Sequence, residues 1–408
     1  MVLLLAVAVC INYVDRGNLA TAAPLIQDEL KLSNSQLGML LSAFFWTYVA
    51  AMTPAGWLAE RFGARRVLAG GVAIWSVATL LTGLAGSLAA LLLLRLLLGL
   101  GESTAFPSSS KVLATEVPLQ QLGLANGVFS FGYLVGPALG TVAGGLLMAR
   151  FGWRPVFVLF GCLSLLWLWP WLRLPHRAAR ERDPSEGAGP TFAQILRQRG
   201  LWGASLGHFA SNYSFYFILA WLPVYLVKVR GFSMATMAGI AGGAYLINAV
   251  SALLTGWGTD RWCKSGRSPD LIYKGLMGLT HLASIGCMAG MVLLPVGGSI
   301  ACLYAYEVVC GIQSPGVYAI PQIIAGPTAA GRWVGVQNTC GNIAGIIAPA
   351  LTGLLVDFSG GFGSAFAVAS AVNVLGLIGW VFILPRIAPL DWRAAGNLAQ
   401  PPARTATP

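Results

Sequence analysis

An all-α integral membrane protein, with twelve membrane-spanning helices in two pseudo-symmetric six-helix bundles, is the fold class that three features of this 408-residue sequence predict. The composition is 56% hydrophobic and only 10% charged, with a mean hydropathy of +0.72, whereas an average soluble domain carries roughly 25% charged residues. Twelve apolar runs reach the length of about 20 residues needed to cross a hydrocarbon core. A motif also recurs half a chain later: GWLAERFGARR starts at Gly56 and GWGTDRWCKSGR at Gly256, each with Gly-Trp ahead of an acid-Arg pair.

The runs begin near residues 2, 35, 67, 88, 122 and 153 in the first half, and near 201, 235, 272, 299, 331 and 362 in the second. Gly and Pro interrupt several of them, which membrane helices tolerate because neighbouring helices satisfy the freed backbone groups. The 51 glycines predict close helix packing. The first run has no basic segment before it and no small-residue cleavage site after it, so it reads as a retained helix. The chain enters the membrane almost at Met1, which points to a natural start upstream.

The longest polar stretch, RLPHRAARERDPSEGAGPTFAQILRQRG from Arg173, separates six runs from six. It places a bundle at residues 1–173, a cytoplasmic linker at 174–200, a second bundle at 201–386 and a tail at 387–408. The repeated motif follows the second span of each half, as in parallel repeats related by an axis along the membrane normal.

A net charge of +11 raises the question of a nucleic-acid partner, and the distribution of charge answers it. With the N-terminus in the cytoplasm, only Lys31, Arg150, Arg154, Lys228 and Arg230 lie outside and only Arg16 and Arg95 lie within spans. The remaining basic residues are cytoplasmic, so the charge orients the chain by the positive-inside rule and implies no nucleic acid. Six of the seven cysteines fall in apolar runs, and no disulfide framework or metal spacing is visible. Neither a nucleophile elbow, a phosphate-cradling loop nor a paired His motif is present, so neither hydrolysis nor ATP-driven pumping has a visible site. Transport must draw on an ion gradient or run downhill.

Ionisable groups at membrane depth cost several kcal/mol on insertion scales and mark function by default. Asp15 and Arg16 are adjacent and point about 100° apart, so each needs its own partner. Asn12, Tyr13 and Arg16 form a polar stripe facing the bundle interior. Arg95 and Glu102 share a face of the fourth span, about 10 Å apart along its axis, too far for a direct ion pair. The economical arrangement pairs Asp15 with Arg95 and leaves Arg16 for an anionic ligand. Glu102, among apolar neighbours that disfavour its charged form, then becomes a candidate proton carrier. Purely structural roles in helix packing are the alternative for all of these. Glu307 in the tenth span is open between a packed carboxyl and a second proton site.

The residues also carry a family resemblance. The paired loops resemble the signature loop of the major facilitator superfamily, with Glu60 where that pattern usually has Asp and with Asp260 kept in the second copy. NYVDRGNL, RLLLGLGESTAFP from Arg95, FGWRPVF from Phe151, AWLPVYL from Ala220 and GNIAGIIAP from Gly341 resemble, in order, the anion:cation symporter branch, which includes sugar-acid importers and vesicular glutamate and sialic acid carriers. The resemblance spans essentially all twelve runs. It implies that Asp15 and Glu102 couple protons and that Arg16 helps to hold a substrate carboxylate.

Hydroxyl-binding groups accompany that cation. Tyr48 and Asn342 match positions the family uses for substrate, and Tyr133, His208 and Asn212 complete the candidate set with Tyr13, Arg16 and Arg95. Tyr133 and His208 stand where sugar-acid importers tend to carry Gln. A lone His in an apolar helix also has a packing reading, and both stay open here. Glu60, Arg61, Arg65, Asp260 and Arg261 lie at cytoplasmic helix ends and read as structural or gating charges. Several of the 14 Trp, Trp167, Trp169 and Trp171 among them, read as interface anchors.

The sequence thus leads to a proton-coupled importer of a small organic anion, a sugar acid such as an aldonate, aldarate or hexuronate, working by alternating access. It is not an enzyme, needs no metal or cofactor beyond the coupling proton, and acts as a monomer among lipids. The Ala, Gly, Leu and Arg bias and short loops favour a bacterial inner membrane with both termini cytoplasmic. Alternatives are an exporter or exchanger of organic anions or drugs, and a transporter-like receptor that binds without translocating.

Overall fold

The computed structural model describes residues 1–116, 119–174, 190–390 and 392. Twelve helices long and apolar enough to cross a membrane are present among them. In the first half they are α1 (Val2–Leu30), α2 (Asn34–Ala59), α3 (Ala64–Thr82), α4 (Leu88–Leu113), α5 (Val128–Phe151) and α6 (Trp153–Leu172). The second half holds α7 (Arg199–Val229), α8 (Met234–Cys263), α9 (Pro269–Leu293), α10 (Val296–Gly326), α11 (Arg332–Ser359) and α12 (Gly363–Ile383). Every run read from the sequence is a helix. A short helix, Phe192–Leu196, lies in the linker, and the tail beyond 392 and linker residues 175–189 lie outside the described residues.

Helix ends follow local chemistry. Ser33 and Gln36 form a reciprocal capping box at the start of α2, satisfying donors the first turn cannot pair internally. Lys31 takes the left-handed conformation that ends α1, and Gly326, at φ 66°, breaks the chain between α10 and α11. Within α4 the helix loosens at Ser103 and Thr104, whose hydroxyls donate back to Leu100 and Gly101 carbonyls. This turn lies directly after Glu102.

Burial sorts the helices into positions. In its most apolar stretch α7 is 83% buried, whereas α6 and α12 are only 33% buried, so α7 runs through the middle and α6 and α12 face lipid. Cross-chain ties fix the motifs seen in the sequence. In the FGWRPVF segment, Trp153 Nε1 donates to Glu29 at 2.7 Å and Arg154 bonds both Glu29 and the Ala85 carbonyl. That pins the start of α6 to the end of α1 and to the turn between α3 and α4.

The two halves meet on the face opposite the linker, called here the far side. Asp357 at the end of α11 accepts hydrogen bonds from the backbone and side chains of Asn34 and Ser35 at the start of α2. Lys228 of α7 pairs with Asp28 of α1. Glycines allow the backbones to close: a Cβ at Gly353 would lie 2.2 Å from the Asn34 carbonyl, and one at Gly38 2.5 Å from that of Pro349. Gly145 of α5 lies tight against the Ala238 methyl of α8, near the same face. The Asp357 hydrogen bonds to Asn34 and Ser35 and the Lys228–Asp28 pair all join the two halves on this far side. The molecule is therefore latched on the far side.

Candidate functional site

Arg16 is the centre of the buried polar cluster. It is 6% exposed, midway along α1, and its guanidinium lies over the rings of Tyr48 at 4.4 Å, Tyr13 at 4.7 Å and Phe44 at 4.9 Å. Three aromatic faces supply cation–π attraction where water is excluded. Its Nε donates to Glu102 Oε2 at 2.9 Å, and its Nη2 has no hydrogen-bond partner. Glu102 is fully buried, with Oε1 unpartnered, and Asn12 lies beside it.

This overturns one expectation. Arg16 is not left free by an Asp15–Arg95 pair but is itself bonded to Glu102, and both oxygens of Asp15 lack a hydrogen-bond partner. The physical reason is the 100° between neighbouring helix residues. With Arg16 turned toward α4 at Glu102, Asp15 turns toward Thr79 of α3 and feels Arg95 and Glu102 only through space. Arg95 itself stacks over the Phe44 ring at 5.0 Å, and its Nε is also unpartnered. Two cations and two acids thus share one dry region, with a formal sum of zero when all are charged.

A small cavity of about 30 Å³ touches both arginines, with Phe44, Phe45, Tyr216 and Pro349 among its walls. A cavity of this size admits no more than a few waters, so the site is contracted around Arg16 in this conformation. Tyr216 closes it from the second half: its hydroxyl donates to Asn342 Oδ1 at 2.8 Å and its ring sits 4.5 Å from that of Phe45. Asn342 in turn donates to Asn338.

The other candidates spread along the same central region. Tyr133 packs on Tyr13 with centroids 5.6 Å apart, and both approach Phe106. His208 is buried, with Nδ1 unpartnered, its ring 5.8 Å from Tyr318 and tight against Gly341. Tyr318 is 38% exposed, although its hydroxyl is near those of Tyr48, Tyr133 and Tyr216. Asn212, one turn after His208, is half-buried. Tyr216, Phe44, Phe45 and Tyr318 escaped sequence reasoning because an aromatic in an apolar run has a packing explanation. The spacing Phe44 to Tyr48, one helical turn, was the available signal.

The loop charges divide. Arg65 bonds Glu116 twice, at 2.7 and 2.5 Å, and the Leu174 carbonyl, tying the linker-side ends of α3, α4 and α6 within one half. Arg61 lies over Trp57 and Phe62, and Arg261 over Trp257. The side chains of Glu60 and Asp260 lie outside the described residues.

Twelve spanning helices in two halves around a buried charged site are the build of a multi-pass membrane transporter. The chain belongs to the Major Facilitator Superfamily, whose family model matches residues 5–349. It is 30% identical over 400 residues to a probable sulfoacetate transporter of Cupriavidus necator, covering 92% of this chain and 91% of that one. It is 29% identical to the hexuronate transporter of Bacillus subtilis, covering 98% and 97% of the two chains, and 28% identical to the D-galactonate transporter of Escherichia coli, covering 93% of each. Among solved structures it is similar to a D-xylose–proton symporter, with a TM-score of 0.76 at 15% identity over 95% and 98% of the chains. A bacterial homologue of the human lysosomal transporter Spinster, in an inward-facing and unoccupied conformation, gives 0.76 at 21% identity over 94% of each chain.

Proposed function

We propose that this transporter is a proton-coupled symporter that imports a small organic anion, most simply a sugar acid of the aldonate, aldarate or hexuronate class, by alternating access. The observation that carries the reading is the buried Arg16–Glu102 pair. A substrate carboxylate entering the site needs the same guanidinium that Glu102 now occupies. A proton on Glu102 weakens that pair, releases Arg16 and leaves the four-charge cluster with one net positive charge, which one carboxylate neutralises. Loading either partner alone leaves an uncompensated buried charge, the costly case. Joint binding of proton and anion is therefore favoured over either alone.

The hydroxyls of Tyr13, Tyr48, Tyr133 and Tyr216 and the amide of Asn342 supply donors and acceptors for a polyhydroxylated anion. Relatives named for hexuronate, galactarate/D-glucarate and D-galactonate support the same substrate class. A relative named for sulfoacetate favours testing one short sulfonate beside the sugar acids. The far-side latch supports a carrier that opens toward the linker side, and the basic linker supports a cytoplasmic position for that side.

Proteoliposome uptake tests the reading. Under an inward proton gradient, at least one member of a panel of labelled aldonates, aldarates, hexuronates and sulfoacetate should accumulate, and a protonophore should abolish accumulation. Uptake that ignores the proton gradient, or net export under it, would overturn the reading.

A further inference from the structure

The two halves share a contact that assigns a partner position to Arg95. In the first half, Thr47 Oγ1 of α2 donates to the Leu96 carbonyl of α4 at 2.7 Å, where Gly99 lets the helices touch: its Cβ would lie 2.2 Å from the Phe44 carbonyl. In the second half, Ser251 Oγ of α8 donates to the Val308 carbonyl of α10 at 2.8 Å. There Gly311 permits the approach, its Cβ falling 2.5 Å from the Asn248 carbonyl. Donor, acceptor and glycine keep the same spacing in both. The residue preceding the acceptor is Arg95 in α4 and Glu307 in α10, and the residue three before the donor is Phe44 in α2 and Asn248 in α8. Arg95 lies over Phe44, and Glu307 Oε2 accepts from Asn248 Nδ2 at 2.8 Å. Glu307 is thus the internal equivalent of a residue that lines the central cavity.

Its surroundings differ from those of Arg95 in one decisive respect. Glu307 is 1% exposed, and its Oε1 has no hydrogen-bond partner. The groups acting on it are Asn248 and Tyr245 of α8 and Tyr306 and Cys310 of its own helix; among the described residues, no Lys, Arg or His is near it. A carboxylate held by one neutral amide, with no cation, is strongly disfavoured at membrane depth. The group that Oε1 can take there, at no cost in space, is a proton.

We infer that Glu307 is a second proton-binding site of the transport cycle, independent of the Arg16–Glu102 pair and carried by the other half of the molecule. The proton adds to Oε1 from the far side, crosses as the neutral acid and leaves toward the linker side. The inference rests on the proton coupling proposed above. It adds one proton per substrate to whatever the first half carries.

The test is the coupling ratio. In proteoliposomes, the pH difference that just balances a known substrate gradient gives protons per substrate, for wild type and for Glu307→Gln, which keeps shape and hydrogen-bonding capacity. The variant should retain counterflow at equal pH and couple one proton fewer, so that accumulation falls about tenfold at a pH difference of one unit. Glu307→Asp, which keeps the acid, should retain the wild-type ratio and serves where Gln does not fold. Infrared difference spectra of purified protein supply a readout independent of transport: a protonated-carboxyl band missing from either variant at its wild-type position should fade as pH rises through the working range. Coupled wild-type transport with an unchanged ratio in Glu307→Gln, or a band that never titrates, would overturn the inference while leaving the first-half coupling intact. Wild-type uptake without proton dependence would overturn both.

Discussion

Asn34 and Asp357, 323 residues apart in sequence, are bonded through both the backbone and the side-chain nitrogen of the asparagine, at 3.2 and 2.8 Å. With Ser35 giving its own N–H at 2.7 Å, the carboxylate of one half sits on the first turn of a helix of the other, where free N–H groups and the helix dipole favour negative charge. A contact of this kind holds only while the far side is closed, so its strength enters directly into the balance between the two open states.

Asp357→Ala should therefore raise the far-open population. A carboxylate at an exposed helix N-terminus contributes about 0.3–1 kcal/mol, which corresponds to a shift of up to roughly fivefold. Spin labels placed at Leu32 and Phe358 in a cysteine-free background would report it as growth of the longer distance. An unchanged distance distribution would show that the latch is incidental to the conformational balance.

Gly353→Ala tests the same face by sterics rather than charge. The added methyl would press on the backbone carbonyl of Asn34, 2.2 Å away, and backbone cannot rotate aside as a flexible side chain can. Overpacking of this kind costs about 1–3 kcal/mol, and here the cost falls on the far-closed state alone. The same labels should show a larger shift than in Asp357→Ala, with substrate exchange slowed. Equal behaviour of variant and wild type would mean that α2 and α11 separate by less than the glycine contact implies.

The fold was legible in the sequence because a bilayer leaves few options: runs of about 20 apolar residues become spanning helices whatever their neighbours. Arg16, Arg95 and Glu102 were legible for the same reason, since charge is rare at that depth. Their pairing was not. Sequence spacing gives depth and relative angle on one helix, but the rotation of α1 against α4, which decides whether Asp15 or Arg16 meets Glu102, is set by packing of small residues such as Gly132, Gly136 and Gly140 of α5 against α1. The equivalence of Arg95 and Glu307 was hidden because the residue types differ, and only the Thr47 and Ser251 hydrogen bonds expose the shared register.

Tyr216→Phe removes the hydroxyl that donates to Asn342 Oδ1 at 2.8 Å. Loss of one neutral hydrogen bond costs about 1 kcal/mol, so the protein should fold with a modest drop in thermal stability. If Asn342 contacts a substrate hydroxyl, freeing its oxygen also changes selectivity, and the variant's KM should shift unequally across sugar acids that differ only in hydroxyl configuration. A uniform change across the panel would place Tyr216 and Asn342 in packing alone.

The Arg16–Glu102 pair gives the sharpest expectation, because stability and transport should respond in opposite ways to its second substitution. Arg16→Ala strips Glu102 of its cation and removes the anchor for the substrate carboxylate. Breaking a buried pair on one side costs about 3–5 kcal/mol, so this variant should melt well below wild type and bind no anion. Adding Glu102→Gln takes away the stranded charge, and the double variant should recover much of the lost stability, measured by thermal unfolding in detergent, without recovering binding. Glu102→Gln alone leaves Arg16 intact and permanently released, as protonation would. It should bind substrate at least as well as wild type, sustain counterflow at equal pH, and lose the part of uphill accumulation that the first half couples to the proton gradient. A double variant no more stable than Arg16→Ala would mean that Glu102 does not depend on Arg16. If Glu102→Gln kept the full wild-type dependence on the gradient, proton binding would have to be sought at Asp15, which the structure leaves buried with both oxygens unpartnered.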